Sequence, residues 1–224
     1  RVFIVAARDG TPFQFPAPTH RLPDANETGF LEDGRAECAT AWDALGDLPE
    51  PQSLEGLIVG GKWGDLLPSI PEGQNYLWHT PRGGGMPLFG WRTRYWSFLL
   101  KLAKNLPSWT IQAQPGSAIG PFHWKNRRLT VQELCRLQSF PDGITFNCGR
   151  TETQRMIGNA VPSLLAEVLA REIRRQYFGA PLLGTPLLLR PKLAPTPGPE
   201  RRRAVPKQYH HLVGDHADHP GSRK

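Results

Sequence analysis

The chain has 224 residues, enough for one sizeable core or two small domains, and it contains no apolar run near the ~18 residues that a membrane-crossing helix needs. Only 39% of it is hydrophobic, and Pro and Gly each number 23, which excludes a uniformly compact chain and predicts long loops with at least one disordered segment. The net charge of +7 admits an anionic partner, but residues 180–224 hold eight Lys or Arg against three Asp or Glu, +5 of that total, so basicity alone predicts no DNA groove in the folded part. Cys38, Cys135 and Cys148 have no metal-ligand spacing. With no secretory signal pattern, the sequence predicts a soluble chain with reduced thiols.

The chain begins at Arg1 with no initiator Met, inside the run Val2-Phe3-Ile4-Val5-Ala6-Ala7. A continuous apolar run of this kind predicts a strand covered on both faces, as in a parallel sheet. One such strand makes no sheet by itself, so either another chain supplies its neighbours or this is the tail of a longer protein. Thr11 to Glu55 is rich in Pro, Gly and acidic residues and predicts loop, with a helical turn at Ala41–Leu45.

Between Leu57 and Gln114, Pro71–Tyr76 predicts a turn and Pro81-Arg82-Gly83-Gly84-Gly85 a flexible loop whose backbone can approach a ligand closely. Trp91-Arg92-Thr93-Arg94-Tyr95 interleaves aromatic and basic residues. Tyr95, Phe98, Leu99 and Leu102 have helical spacing and predict a short helix over 95–103. Trp109, Ile111 and Ala113 alternate with polar residues and predict a half-buried strand. His123, next to Trp124, reads as a packed or surface residue.

Thr130, with Glu133 three residues on, is a capping box that predicts a helix to about Phe140, stopped by Pro141-Asp142-Gly143. A second helix is expected to open at Asn159 as N-cap, with Pro162 in its first turn. Its apolar stripe is Val161, Leu164, Leu165, Val168, Leu169 and Ile173, and Arg171, Arg174 and Arg175 sit on the favourable side of the dipole. A Gly158-Asn159 pair feeding a helix N-terminus offers N–H groups and an amide to an anion or a small polar ligand, or is a plain cap. From Ala180 the sequence turns Pro-rich, then runs through Arg201-Arg202-Arg203 to His210, His211, His216 and His219, and predicts a disordered tail with weak phosphate attraction. The histidines lack helical spacing, so no metal site is read.

The run RRLTVQELCRLQSFPD followed by IGNAVP, within residues 126–173, resembles the last two sequence blocks of the DNA (cytosine-5)-methyltransferases in order, spacing and residue types. Met156 stands where that family often has Gln, and Gln132 where it often has Arg. The resemblance implies that the first block organises target recognition. It implies that Asn159, Ala160 and Val161 face S-adenosyl-L-methionine. Arg1 resembles the last Arg of the Gln-x-Arg-x-Arg signature of the eighth block, and would reach the flipped target cytosine or its phosphate.

The implied organisation is an α/β fragment. Residues 1–17 end the catalytic domain, 18–115 form a small target-recognition region of mixed strands and loops, and 116–179 return two helices to the cofactor domain. Together with the first strand these helices would complete a methyltransferase-type, Rossmann-like sheet; 180–224 form the tail. Base edges are read by Arg on guanine and by Asn or Gln on adenine. Within the implied recognition region Arg82, Arg92, Arg94, Gln74 and Asn75 are the right types, while Lys125, Arg127 and Arg128 suit phosphates.

The family's chemistry is base flipping, thiolate attack on C6 of cytosine and methyl transfer to C5. Its nucleophile is a Cys directly after Pro, its acid a Glu before Asn-Val, and its cofactor loop Phe-x-Gly-x-Gly. None of the three cysteines here follows Pro, and no Glu-Asn-Val occurs. The expectation is therefore the C-terminal portion of such an enzyme, as a fragment or one subunit of a split enzyme, inactive alone. Its partners would be double-stranded DNA and the N-terminal part carrying the Gly-rich loop and Pro-Cys, with a cognate restriction endonuclease left open, in a bacterial cytoplasm at the nucleoid. The alternative is a non-catalytic, sequence-specific DNA-binding remnant.

Overall fold

Two separate hydrophobic clusters organise the structure, a computed structural model that describes residues 2–21, 34–92, 95–181, 184 and 189–214. The first gathers Leu66, Leu67, Ile70, Tyr76, Leu88, Leu99 and Phe122 around the 3-10 helices Gly64–Ser69 and Tyr76–His79. The second joins helix α1 (Ala41–Leu45), helix α2 (Val131–Leu137) and helix α3 (Arg150–Asn159) through Ala41, Leu45, Leu102, Trp124, Leu134 and Ile157. Helix α4 (Ser163–Phe178) follows and ends at Gly179, whose φ of 54° is the left-handed conformation that suits Gly after a helix.

The chain is mixed α/β, but its sheet is small. Strands β1 (His20–Arg21) and β2 (Ala36–Glu37) pair in parallel, with His20 opposite Ala36. The Rossmann-like sheet does not occur among the described residues. Residues 2–7 form no strand: Val2 and Ile4 are each 88% exposed, and Phe3, Val5 and Ala7 are half-buried. The layers that would cover both faces of this run are not among the described residues.

Residues 95–103 form no helix. Leu99 has φ 52°, and its N–H donates to Ala118 O (2.9 Å), while Leu102 N–H donates to Phe122 O (2.9 Å). An irregular path delivers Leu99 to the first cluster and Leu102 to the second, whereas a helix would turn both toward one side. Residues 109–113 are likewise unpaired in any strand, although Ile111 is buried as the alternation requires.

The Pro-rich segment after residue 188 is not a free tail where it is described. Leu193 N–H donates to Asp43 Oδ1 (2.8 Å), Glu200 pairs with Lys104 (3.1 Å), and Tyr209, 3% exposed, stacks on Trp63 at 5.7 Å. These contacts give residues 189–214 the ordering free energy that their composition alone does not supply. His216 and His219 lie outside the described residues.

Candidate functional site

The capping box forms as the sequence dictates. Thr130 Oγ1 accepts from Glu133 N–H (3.1 Å), and a Glu133 carboxylate oxygen accepts from Thr130 N–H (2.7 Å). The helix stops three residues earlier than expected, because Ser139 takes φ 54° and leaves the helical path. The same turn then holds the next two helices. Gln138 donates its side-chain amide to Ile157 O (2.8 Å) and its carbonyl accepts Ser163 N–H (3.3 Å), while Ser139 Oγ accepts Leu164 N–H (3.2 Å).

This overturns the reading of Gly158-Asn159 as the entry to a helix. Asn159 is the last residue of α3, and Pro162 is the N-cap of α4. The first N–H groups of α4 are taken by Gln138 and Ser139, so no anion cradle opens there. Gly158 serves packing: a Cβ on it would lie 2.5 Å from Ala113 Cα, so only Gly lets α3 press on the 112–113 backbone. Residues 159–161 still project as a turn with Asn159 exposed, Ala160 half-buried and Val161 39% exposed. Helix α4 buries none of its residues, and Leu165 and Val168 are 39% and 44% exposed. An open cleft of about 770 Å³ begins at Pro162 and is lined by Leu137, Phe140, Leu164 and Leu165.

The basic residues divide sharply by burial. Arg127, 5% exposed, forks onto Glu133 with its two terminal nitrogens at 2.8 and 2.7 Å, so it is a buried structural ion and not a phosphate contact. Asn75, 2% exposed, accepts Leu77 N–H (3.0 Å) and donates to Trp96 O (2.7 Å), so it caps a 3-10 turn and reads no base. Arg82 is exposed with its guanidinium 3.9 Å above the Trp91 ring. Gln74 is exposed, Arg92 is half-buried, Lys125 is exposed and paired with Glu50 (2.6 Å), and Arg128 reaches Ser117 O (3.0 Å). Arg1 and Arg94 lie outside the described residues. The loop Pro81–Gly85 rests on Trp78: a Cβ on Gly84 or Gly85 would lie 2.5 Å from that ring. Trp96 and Trp109, 45% and 41% exposed, pack edge-on at 5.3 Å, an aromatic surface that sequence spacing did not single out.

Beneath the basic surface lies His123, 3% exposed, whose Nδ1 accepts Lys125 N–H (3.1 Å). Burial, then the neighbouring Arg127, pushes its pKa down to about 3. Glu133, 3.5 Å from Nε2, does not offset this, because Arg127 already meets its charge. Burial pushes the Cys135 thiol up, away from the reactive thiolate.

Residues 1–175 match the family described as C-5 cytosine-specific DNA methylase. The chain belongs to that family. It is 42% identical over 186 residues to the type II methyltransferase M.SacI of Streptomyces achromogenes, covering 79% of this chain and 47% of the relative. It is 36% identical over 177 residues to the type II methyltransferase M.NgoFVII of Neisseria gonorrhoeae, covering 77% and 44%. With M.MthTI of Methanothermobacter thermautotrophicus the identity is 30% over 193 residues, covering 80% and 52%. The chain thus spans about half the length of these relatives. The family match stops within α4, so the segment 189–214 lies beyond it. Among the described residues, no helix is long and apolar enough to cross a membrane.

Proposed function

We propose that this chain is the C-terminal, DNA-recognising portion of a DNA (cytosine-5)-methyltransferase and that it lends one wall to the S-adenosyl-L-methionine pocket. The match to the C-5 cytosine-specific DNA methylase family over residues 1–175 carries the reading. The exposed turn 159–161 supports the wall: Asn159 offers an amide and Val161 an apolar face, a pair suited to a ligand with both polar and apolar edges. When bound, the cofactor supplies the methyl group. This chain's own residues hold and orient. Gln138 and Ser139 fix the turn from below, Arg82 and Arg92 face the duplex, and Lys125 and Arg128 lie toward its phosphates. Arg1 would reach the target cytosine. The nucleophilic Cys and the Gly-rich loop come from the N-terminal part, and the type II relatives make restriction-modification the setting.

The wall and the recognition surface separate in one experiment. In this chain complemented by the N-terminal part of a relative, Asn159→Ala should weaken cofactor binding by up to roughly tenfold, as expected for one lost hydrogen bond of about 0.5–1.5 kcal/mol, and leave DNA affinity in place. Arg82→Ala or Arg92→Ala should do the reverse and narrow the gap between cognate and non-cognate duplexes by about 1–3 kcal/mol. Titration of each ligand against each variant checks both. Equal losses for both ligands in Asn159→Ala, or unchanged discrimination in both Arg variants, would remove those residues from their roles.

A further inference from the structure

The arginine run is held in place at both ends. On one side, Glu200 N–H donates to Glu72 (2.7 Å), and Lys104, 3% exposed, joins Glu72 (2.7 Å) and Glu200 (3.1 Å). On the other, Tyr209 stacks on Trp63 with 17° between the rings, and its hydroxyl donates to Lys62 O (2.8 Å). Between these anchors Arg203 N–H donates to Pro68 O (3.0 Å), which pins the backbone of the run itself. Arg201, Arg202 and Arg203 are all exposed, and among the described residues none of them forms an ion pair with a carboxylate.

Arg202 and Arg203 are placed by their surroundings as well as by this backbone. The Arg202 guanidinium lies 4.9 Å from the Trp78 ring, the same ring that supports Gly84 and Gly85. Arg203 and Lys207 line an open groove of about 420 Å³ beside Pro68 and Pro206. The run therefore shares a supporting ring with the loop that carries Arg82.

We infer that residues 201–207 are a seated phosphate clamp: Arg201, Arg202, Arg203 and Lys207 grip the backbone of the duplex whose bases the neighbouring surface reads. The inference rests on the proposed DNA-recognition role. A run whose backbone is fixed before binding loses less entropy than a free polycation, and each phosphate met releases condensed counterions. The clamp adds affinity for every sequence alike and leaves base discrimination to the recognition surface.

The test is anisotropy of a fluorescein-labelled duplex of mixed sequence with the 224-residue chain across a salt series. Replacing Arg201, Arg202 and Arg203 together by Gln should weaken binding and flatten the log–log salt slope by roughly three units. Tyr209→Ala, which changes no charge but removes the seat, should weaken binding as well, while Tyr209→Phe keeps the stacking and should bind nearly as the unaltered chain does. If the triple Gln variant keeps its affinity and slope while Arg82→Ala weakens binding, the clamp is wrong and the recognition reading stands. If the unaltered chain fails to bind duplex at any salt concentration, both fall. Loss in the triple variant without loss in Tyr209→Ala would show a free polycation and overturn the seated clamp. The triple variant changes only exposed side chains, so unchanged affinity and slope in it overturn the clamp even if Tyr209→Ala unfolds.

Discussion

Replacing Glu133 by Ala is expected to cost about 3–5 kcal/mol of folding stability, the range for stranding one partner of a buried ion pair. Glu133 is 4% exposed and meets three groups at once: the Arg127 fork, the Thr130 N–H and the edge of His123. Without it, Arg127 would remain buried with its charge unmet, and its Nε already has no partner among the described residues. Helix α2 would lose half of its capping box as well. Urea unfolding followed by tryptophan fluorescence measures the cost. Glu50→Ala is the control, since Glu50 pairs with Lys125 at the surface and an exposed pair is worth at most about 1 kcal/mol. Equal costs for the two substitutions would mean that the Arg127–Glu133 pair does not hold the base of the site.

Acid should destabilise the chain through His123 well before its carboxylates titrate. Folding lowers the His123 pKa from its ordinary 6.5 to about 3, so the unfolded chain takes up a proton that the folded chain refuses. The sign follows from linkage: this contribution is complete above about pH 6.5 and is lost as pH falls toward about 3, at up to ~1.4 kcal/mol per pH unit. The cationic neighbours Arg127, Lys125 and Lys104 oppose the proton, and Glu50 favours it less than burial opposes it. Urea midpoints compared at neutral pH and two units below the ordinary imidazole value should fall more steeply for the unaltered chain than for His123→Gln. Gln can still accept the Lys125 N–H and takes up no proton. Parallel pH profiles would contradict the buried, neutral imidazole.

Both effects arise in the part of the chain that was most legible in sequence. Thr130 and Glu133 announce α2 because a capping box acts within one turn and needs no distant partner. Helix α3 gave no comparable sign, since it buries only Thr153, Ile157 and Gly158, too few positions to make an apolar stripe. The start of α4 differs from the sequence expectation because Asn159 is a good cap by type, yet Gln138 and Ser139, just past the end of α2, take the cap positions from outside the helix. The run around Leu99 and Leu102 has helical spacing by coincidence, as its members are shared between two clusters.

Long-range pairs explain what composition missed after residue 188. Glu200 needs Glu72 and Lys104, and Tyr209 needs Trp63, partners more than ninety residues away. A Pro-rich, basic segment reads as a solvated tail until those partners are known. Burial made the converse correction for candidate DNA contacts: Asn75 and Arg127 have the right chemistry for nucleic acid, but their polar atoms are turned inward. Arg82, by contrast, is exposed on Trp91, which leaves it accessible for the proposed base contact.

In the proposed function this chain recognises DNA and walls the cofactor pocket while another part supplies the nucleophile. The direct measurement is transfer of labelled methyl groups from S-adenosyl-L-methionine to duplex DNA, with the chain alone and with the chain plus the N-terminal part of a type II relative, followed by identification of the modified base. The expected result is no transfer by the chain alone and 5-methylcytosine when the two parts are combined. Cytosine methylation by the pure chain would contradict it, as would a combined enzyme whose activity is unaffected by omitting this chain.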